Sequence, residues 1–197
     1  KMRQKKTDIL IIGLGLAGIT AAITAAQNGK KVTIISKTKD LSSGNTPWAQ
    51  GGIVYKGIND SPVKLKKDIL KAGAGHCWEE AVKHLCTHGP RLVKELLIDK
   101  IKTQFDKTEN NFNLVSEGAH SEPRVIYNAD KTGKSIHKAS LKYIQTLSNI
   151  EIFTNHIAID LLTFSHNSTV STDSHRDSTV STDSHRDSTV STETDSH

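Results

Sequence analysis

The stretch Asp8-Ile-Leu-Ile-Ile-Gly13-Leu-Gly15-Leu-Ala-Gly18 decides the fold of this 197-residue chain. It joins an apolar run to an alanine-rich helical run, and a second apolar run, Lys31–Ser36, follows directly. The order strand, turn, helix, strand is the context that a dinucleotide site needs. The sequence therefore predicts an α/β, Rossmann-like domain, and a glycine turn in an unrelated α/β domain is the less favoured alternative.

Each glycine of the first loop, residues 13–18, has its own expected role. Gly13 permits the tight turn, Gly15 lets backbone approach a pyrophosphate, and Gly18 lets the helix pack close to the strand. The amino terminus of the helix then offers unpaired N–H groups and the positive end of its dipole to the phosphates.

The end of the second strand bears on which dinucleotide is bound. An NAD site usually carries Asp or Glu there to bind the ribose, whereas this chain has Ser36 and Lys37. This weakens the NAD interpretation, while Lys37 keeps NADP open. The second loop, residues 42–52, favours a flavin instead, because its glycines and small polar groups offer backbone donors to a pyrophosphate and to an isoalloxazine edge.

The carboxyl-terminal region differs from the rest in composition. A decapeptide, Ser-Thr-Val-Ser-Thr-Asp-Ser-His-Arg-Asp, begins at Ser168, repeats at Ser178 and starts again at Ser188. Such a segment has too little apolar surface to offset chain entropy. We therefore expect a folded domain over 1–164 and a disordered, low-complexity tail over 165–197.

Charge and composition exclude several classes of partner. The net charge is +5, but the lysines are scattered and form no basic stripe interleaved with aromatic residues, so no nucleic-acid partner is expected. No apolar run is long enough to span a membrane, and no secretory signal precedes the first strand. These features predict a cytoplasmic protein with no membrane partner, in which Cys77 and Cys86 are free thiols.

Further elements follow from periodicity and capping. We predict helices over Pro62–Ala72 with Ser61 as its cap, over Trp78–His88, from Pro90 onward, and over Gly133–Leu147. Strands are expected at Val125–Tyr127, Glu151–Phe153 and His156–Leu162. Trp48 and Trp78 are more typical of packing residues than of stacking platforms. His84 and His88 lie four apart on a helix, but no further ligands follow at zinc-like spacing, so no metal site is predicted.

Several segments together resemble the flavoprotein family of succinate dehydrogenase, fumarate reductase and L-aspartate oxidase. Ser36-Lys37 is followed by Ser-Gly-x-Thr-x-x-Ala-Gln-Gly-Gly, which ends at Gly52. The segments that look like L-aspartate oxidase are Ala72–Val82, His88-Gly-Pro90, Glu117-Gly-Ala-His-Ser-x-x-Arg124-Val-Ile and Asp130-x-Thr-Gly133. The resemblance covers residues 7 to about 163. It implies that 1–164 is an FAD-binding domain, incomplete in itself, and that the chain is truncated, the amino-terminal portion of such an enzyme.

The resemblance implies a set of cofactor contacts. Relatives that bind FAD covalently do so through a histidine at the place of Asn45, so non-covalent FAD is implied here. The residues implied to contact FAD are Gly13, Leu14, Gly15, Leu16, Ala17, Gly18, Ser36, Lys37, Gly44, Asn45, Thr46, Pro47, Trp48, Ala49, Gln50, Gly51 and Gly52.

The resemblance also implies a reaction, the oxidation of L-aspartate to iminoaspartate. Oxygen or fumarate would take the electrons, and quinolinate synthase would use the product on the way to NAD. Glu117 would interact with the substrate amino group, and the substrate loop would include His120, Ser121 and Arg124, whose guanidinium would help to hold a carboxylate.

Plainer interpretations of these side chains stay open. The alternatives are a surface carboxylate for Glu117, which is the less favoured interpretation, a turn cap for His120 and a surface arginine for Arg124. Ser116, Glu122 and Pro123 depart from the family pattern, which puts substrate handling in doubt more than FAD binding. The alternative functions are a non-catalytic FAD- or nucleotide-binding remnant and, less favoured by Asn45, a fumarate reductase or succinate dehydrogenase fragment.

Overall fold

A computed structural model describes residues 4–109 and 111–162, together with the backbone of Thr192–Glu193. The helices are Leu16–Gln27 (α1), Pro62–Ala72 (α2), Glu79–Leu92 (α3) and Thr132–Ile144 (α4), with a 3₁₀ turn at Thr46–Trp48 and a π-helical segment at Val93–Lys100. The strands are Ile9–Ile12 (β1), Val32–Ile35 (β2), Ile53–Val54 (β3), Lys107–Thr108 (β4), Asn111–Phe112 (β5), Val125–Ile126 (β6), Ile150–Phe153 (β7), Ile157–Ala158 (β8) and Thr192–Glu193 (β9). Within the described ranges, no helix is long and apolar enough to cross a membrane.

The predicted β1–α1–β2 unit is present. β1 and β2 pair in parallel, with Ile9 opposite Val32 and Ile12 opposite Ile35. All four residues of β2 are buried, which is typical of a central parallel strand. The buried face of α1 consists of Ile19, Ala22, Ile23 and Ala26.

β7 adds the third strand of this parallel sheet. It pairs with the other edge of β2 and gives the order β1-β2-β7. α4 precedes β7, packs against α1 and contributes Ile136 and Ile144 to the main core. Because the strands are parallel, their carboxyl ends lie at one edge of the sheet, which is where a Rossmann-like fold binds its ligand.

The predicted helix break at Pro90 is wrong. Instead of ending near His88, α3 runs through Pro90 to Leu92 and continues directly into the π-helical segment. Proline inside a helix removes one backbone hydrogen bond. Here the buried side chains before and after Pro90 stabilise the continuous helix. These side chains are Val82, Cys86, Val93 and Leu97. Tertiary packing therefore outweighs the local preference.

Short antiparallel pairs complete the described fold. β3 pairs with β6, β4 with β5, and β8 with β9. The strand predicted over His156–Leu162 is confined to β8. The tail predicted over 165–197 and its boundary at 164 lie outside the described residues, except for Thr192–Glu193, whose backbone forms β9.

The amino terminus of α4 packs directly onto the 3₁₀ turn of the second loop. The N–H of Gly133 donates to the carbonyl oxygen of Ala49 at 3.0 Å. The hydroxyl of Thr132 donates to the carbonyl oxygen of Gly51 at 2.6 Å. A Cβ on Gly133 would overlap the carbonyl oxygen of Thr46 and lie 2.7 Å from that of Ala49. This contact fixes the second loop against the core and requires glycine at position 133.

We expect Gly133→Ala to lower the free energy of unfolding by about 2 kcal/mol, because the added methyl meets backbone atoms that cannot rotate away. The measurement is urea unfolding followed by circular dichroism. The matched control is Gly89→Ala inside α3, where the nearest atom to the new Cβ is Leu85 Cγ at 3.9 Å. Helix propensity predicts that this control raises the free energy of unfolding by up to about 1 kcal/mol. Equal effects of the two substitutions would contradict the packing described here.

Candidate functional site

The backbone of the first loop has the shape that a dinucleotide turn requires. Gly13 has φ of +101°, and its N–H donates to the carbonyl oxygen of Ile35 at 2.9 Å. A Cβ on Gly18 would overlap the carbonyl oxygen of Gly13 and lie 3.2 Å from Ile11 Cγ2. Gly13 therefore makes the turn and Gly18 allows the close packing of α1 on β1.

The amino terminus of α1 presents backbone donors at the carboxyl edge of the sheet. α1 begins after Gly15, which makes no side-chain cap. Among the described residues, the N–H groups of Gly15, Ala17 and Gly18 have no acceptor, and that of Leu16 donates to the hydroxyl of Thr46 at 3.1 Å. A helix amino terminus whose N–H groups have no acceptor is suited to bind a diphosphate.

Space at the first loop agrees with this interpretation. A Cβ on Gly13 would meet no atom within 4 Å, and one on Gly15 would meet only the hydroxyl of Thr46, at 3.5 Å. The residues present therefore fit the pyrophosphate of a dinucleotide such as FAD.

The end of β2 carries no acidic side chain for a ribose. The backbone of Ser36 is fully used, since its N–H donates to the carbonyl oxygen of Phe153 at 2.8 Å and its carbonyl oxygen accepts from His156 N–H at 3.0 Å. Lys37 is exposed at the same edge of the sheet.

The second loop places its side chains next to the first loop. Thr46 bridges the two loops through its bond to Leu16, and a Cβ on Gly44 would meet no atom within 4 Å. Asn45, Gln50 and Trp48 are exposed. The packing interpretation is wrong for both tryptophans, because Trp48 is 79% and Trp78 is 73% exposed.

The third loop, residues 117–124, lies against the second loop at Gly51. A Cβ on Gly51 would lie 3.6 Å from Glu117 Oε1. The two loops meet because β3 follows the second, β6 follows the third, and these strands pair. Glu117 itself is exposed. The carboxylate predicted to bind substrate thus stands beside the loop predicted to bind the flavin.

The surface interpretation of Arg124 is wrong, because this side chain is fully buried. Its Nε and Nη2 donate to the two oxygens of Asp60, each at 2.8 Å, and its Nη1 donates to Asp68 Oδ2 at 2.6 Å. Two carboxylates therefore use the planar fork of the guanidinium. In this geometry the Arg124 guanidinium holds the third loop through Asp60 and Asp68, and it is not placed to bind a substrate carboxylate as predicted.

His120 and Ser121 join the same network. Nη1 of Arg124 also lies 2.8 Å from His120 Nδ1. Since a guanidinium only donates, Nδ1 is the acceptor and a neutral His120 carries its hydrogen on Nε2. The N–H and hydroxyl of Ser121 both donate to Asp68 Oδ2, at 2.9 and 2.8 Å. The third loop is thus tied to α2 through Asp68.

These bonds keep both carboxyl groups ionised. Hydrogen bonds from the N–H of Ser121 and from Arg124 hold the pKa of Asp68 well below its ordinary value. Burial acts to raise the pKa of Asp60, but the bonds from Arg124 and from the N–H of Ser61 outweigh it, so that pKa is lowered as well. The bonds to Asp60 and Asp68 raise the pKa of Arg124 despite its burial. The network is a buried cation between two carboxylates.

The histidine pair on α3 provides no evidence for a metal. The rings of His84 and His88 lie 4.6 Å apart. In the part of the chain that the structure describes, no group of three His, Cys, Asp or Glu side chains is placed to hold a metal ion. Cys77 and Cys86 are free thiols.

The sequence did not reveal three polar residues of the site: Asp68 and His137, which are buried, and the half-buried Asp60, whose side chain is 5% exposed. Asp68 lies three residues after the buried Leu65 of α2, so it occupies the inner face of an amphipathic helix. His137 lies next to the buried Ile136 on the inner face of α4. A charged or polar side chain at such a position signals a buried partner, which was the available clue.

The fold and the loops define an FAD-binding protein, and the comparisons agree. The chain belongs to the family described as FAD binding domain, whose model matches residues 8–193. In structure it is similar to the E. coli quinol fumarate reductase, with a TM-score of 0.76 and 25% identity, over 81% of this chain and 28% of that one.

Curated relatives of the chain include L-aspartate oxidases. The chloroplastic L-aspartate oxidase of Oryza sativa subsp. japonica is 39% identical over 168 residues, which cover 84% of this chain and 25% of that protein. The L-aspartate oxidase of Halobacterium salinarum is 36% identical over 157 residues, covering 80% of this chain and 30% of that protein. The chain therefore spans between a quarter and a third of the length of these relatives.

We expect Asp68→Asn to lower the free energy of unfolding at neutral pH by about 3 kcal/mol, because it leaves part of the Arg124 charge without its partner. Below pH 4 the substitution should lower the free energy of unfolding by a smaller amount. An aspartate in the unfolded chain, with a pKa of about 3.9, takes up a proton there while the native Asp68 does not. The unfolded state then binds more protons, so the wild-type free energy of unfolding falls as the pH drops from about 5 to 2.

The measurement is urea unfolding at a series of pH values, with the exposed Asp130→Asn as the matched control. The control should change the free energy of unfolding by less than about 0.5 kcal/mol. Parallel pH curves for the wild type and Asp68→Asn would contradict the ionised, buried state of Asp68.

Proposed function

We propose that this chain serves the FAD-dependent oxidation of L-aspartate to iminoaspartate, with FAD held at the first and second loops and substrate at the third. The position of Glu117 beside Gly51 supports this most directly, because it puts a carboxylate next to the flavin-binding loop. The identity to L-aspartate oxidases, 39% and 36% over 84% and 80% of this chain, supports the same substrate.

The chain's own residues supply binding and orientation. When bound, FAD supplies an acceptor for the two electrons and the hydrogen of the substrate Cα–H bond, and the amino group loses a proton as the imine forms. Glu117 binds the ammonium group of L-aspartate and so turns the Cα toward the second loop.

Arg124 supports this step indirectly. It orders the third loop through Asp60 and Asp68, so the peptide that carries Glu117 keeps its place relative to Gly51. His120 adds an Nε2–H donor on the same loop. Arg124 is therefore a positioning residue in the proposed reaction.

The electrons on the reduced flavin and the product iminoaspartate both need an acceptor. Oxygen or fumarate would reoxidise the flavin, and iminoaspartate would pass to quinolinate synthase in NAD biosynthesis. Both steps are proposed by resemblance to L-aspartate oxidases.

Non-covalent binding of FAD is a direct prediction. Asn45, exposed in the second loop, has no nucleophilic ring nitrogen with which to form a flavin tether. We expect the purified chain mixed with FAD to retain it on gel filtration and to release all of it on acid denaturation. The measurement is flavin absorbance in the soluble and precipitated fractions. Flavin that stays with the precipitated protein would contradict this prediction.

Non-catalytic FAD binding is the second candidate function. One observation favours it: the guanidinium of Arg124 is already paired with two carboxylates. The discriminating experiment adds L-aspartate, or succinate in a parallel sample, to the FAD-loaded chain without oxygen. Bleaching by L-aspartate alone supports the proposed function, bleaching by succinate supports the fumarate reductase branch, and an unchanged spectrum supports binding alone.

Glu117→Gln tests the substrate role. It removes the charge that binds the ammonium group, so we expect L-aspartate to bind at least about tenfold more weakly, while FAD affinity changes by less than about twofold. The measurement is the perturbation of the flavin spectrum during titration with L-aspartate. The matched control is the exposed Glu109→Gln, which should change neither affinity. If Glu117→Gln weakens FAD and L-aspartate binding equally, the proposed role of Glu117 fails.

A further inference from the structure

His137 has a buried imidazole ring that contacts the backbone of the first loop. It lies on α4 and is 3% exposed, and its Nε2 lies 3.0 Å from the carbonyl oxygen of Leu14. Because a carbonyl oxygen only accepts, Nε2 carries a hydrogen and donates it. Burying an imidazole is costly without such a bond, so the contact explains how His137 is tolerated in the core.

We propose that His137 is a positioning residue for the cofactor, which fixes the Leu14–Gly15 peptide so that the N–H of Gly15 faces the pyrophosphate. The peptide is trans, so its carbonyl and its N–H point in opposite directions. A carbonyl held toward α4 therefore turns the N–H away from α4. This inference rests on the proposed function, since it assumes that FAD binds at the first loop.

The backbone around Leu14 makes such a constraint necessary. A flip of this peptide changes ψ of Leu14 and φ of Gly15, and glycine removes most of the steric barrier to the latter. Gly13, on the other side, has φ of +101° and is equally permissive. The described structure gives the N–H of Gly15 no acceptor of its own. The bond from His137 is therefore the interaction that selects one orientation of this peptide.

The same geometry separates a positioning role from simple core filling. A core-filling role needs only the volume of the ring, which leucine approximates. A positioning role needs a donor at the place of Nε2, which the side-chain amide of glutamine also provides. The two substitutions therefore have opposite expected effects.

The test compares wild type, His137→Leu, His137→Gln and the exposed control His84→Gln in the complete chain. The dissociation constant for FAD is measured by quenching of flavin fluorescence, and the thermal midpoint reports folding. We expect His137→Leu to bind FAD about tenfold more weakly, as for one lost hydrogen bond, with His137→Gln within about threefold of wild type and His84→Gln unchanged. Equal affinities for all four proteins, or equal loss in both His137 variants, would overturn the inference.

A second readout needs no cofactor. In ¹H–¹⁵N spectra of the FAD-free chain, we expect His137→Leu to shift or split the Gly15 amide signal, and His137→Gln to restore the wild-type position. An unchanged Gly15 signal in His137→Leu would overturn the inference. A wild-type chain that does not bind FAD would instead overturn the proposed function, while this spectrum still decides whether His137 holds the peptide.

Discussion

The contact between the amino terminus of α4 and the second loop is the constraint on which the candidate site depends. Gly133 lies so close to the 3₁₀ turn that no side chain fits between them. Through this contact α4 fixes the second loop, and through its own packing against α1 it fixes the first. One helix thus sets the distance between the two loops that a dinucleotide has to bridge, and cofactor recognition is coupled to core packing.

The third loop is held by a different kind of interaction. Arg124 lies between Asp60 and Asp68, so the third loop shares one buried charge network with a segment that is distant in sequence. Such networks are costly to desolvate, and good hydrogen-bond geometry is needed to offset that cost. Here each nitrogen of the guanidinium donates at least one bond, to Asp60, Asp68 or His120, and the result is a defined direction for the loop that carries Glu117.

The sequence predicted the β1–α1–β2 unit and the first two loops because these depend on local glycine patterns and hydrophobic period, whereas the third loop was predicted from the resemblance to L-aspartate oxidases. It did not predict the continuity of α3 through Pro90, since that depends on side chains buried from both flanks. The partners of Arg124 were also missed, because Asp60 and Asp68 are more than fifty residues away along the chain. A single sequence shows an acidic residue on the inner face of a helix, but it does not show which cation will neutralise it.

The hydroxyl of Thr46 has a consequence for the energetics of ligand capture. It already accepts from the N–H of Leu16 at the mouth of the first loop. A phosphate oxygen that arrives there competes with it, so this donor changes one acceptor for another. The gain from this one donor is the difference between a charge-assisted bond of about 1.5–3 kcal/mol and a neutral one of about 1 kcal/mol. A diphosphate therefore gains more from the neighbouring N–H groups of Gly15, Ala17 and Gly18, which have no acceptor among the described residues, than from that of Leu16.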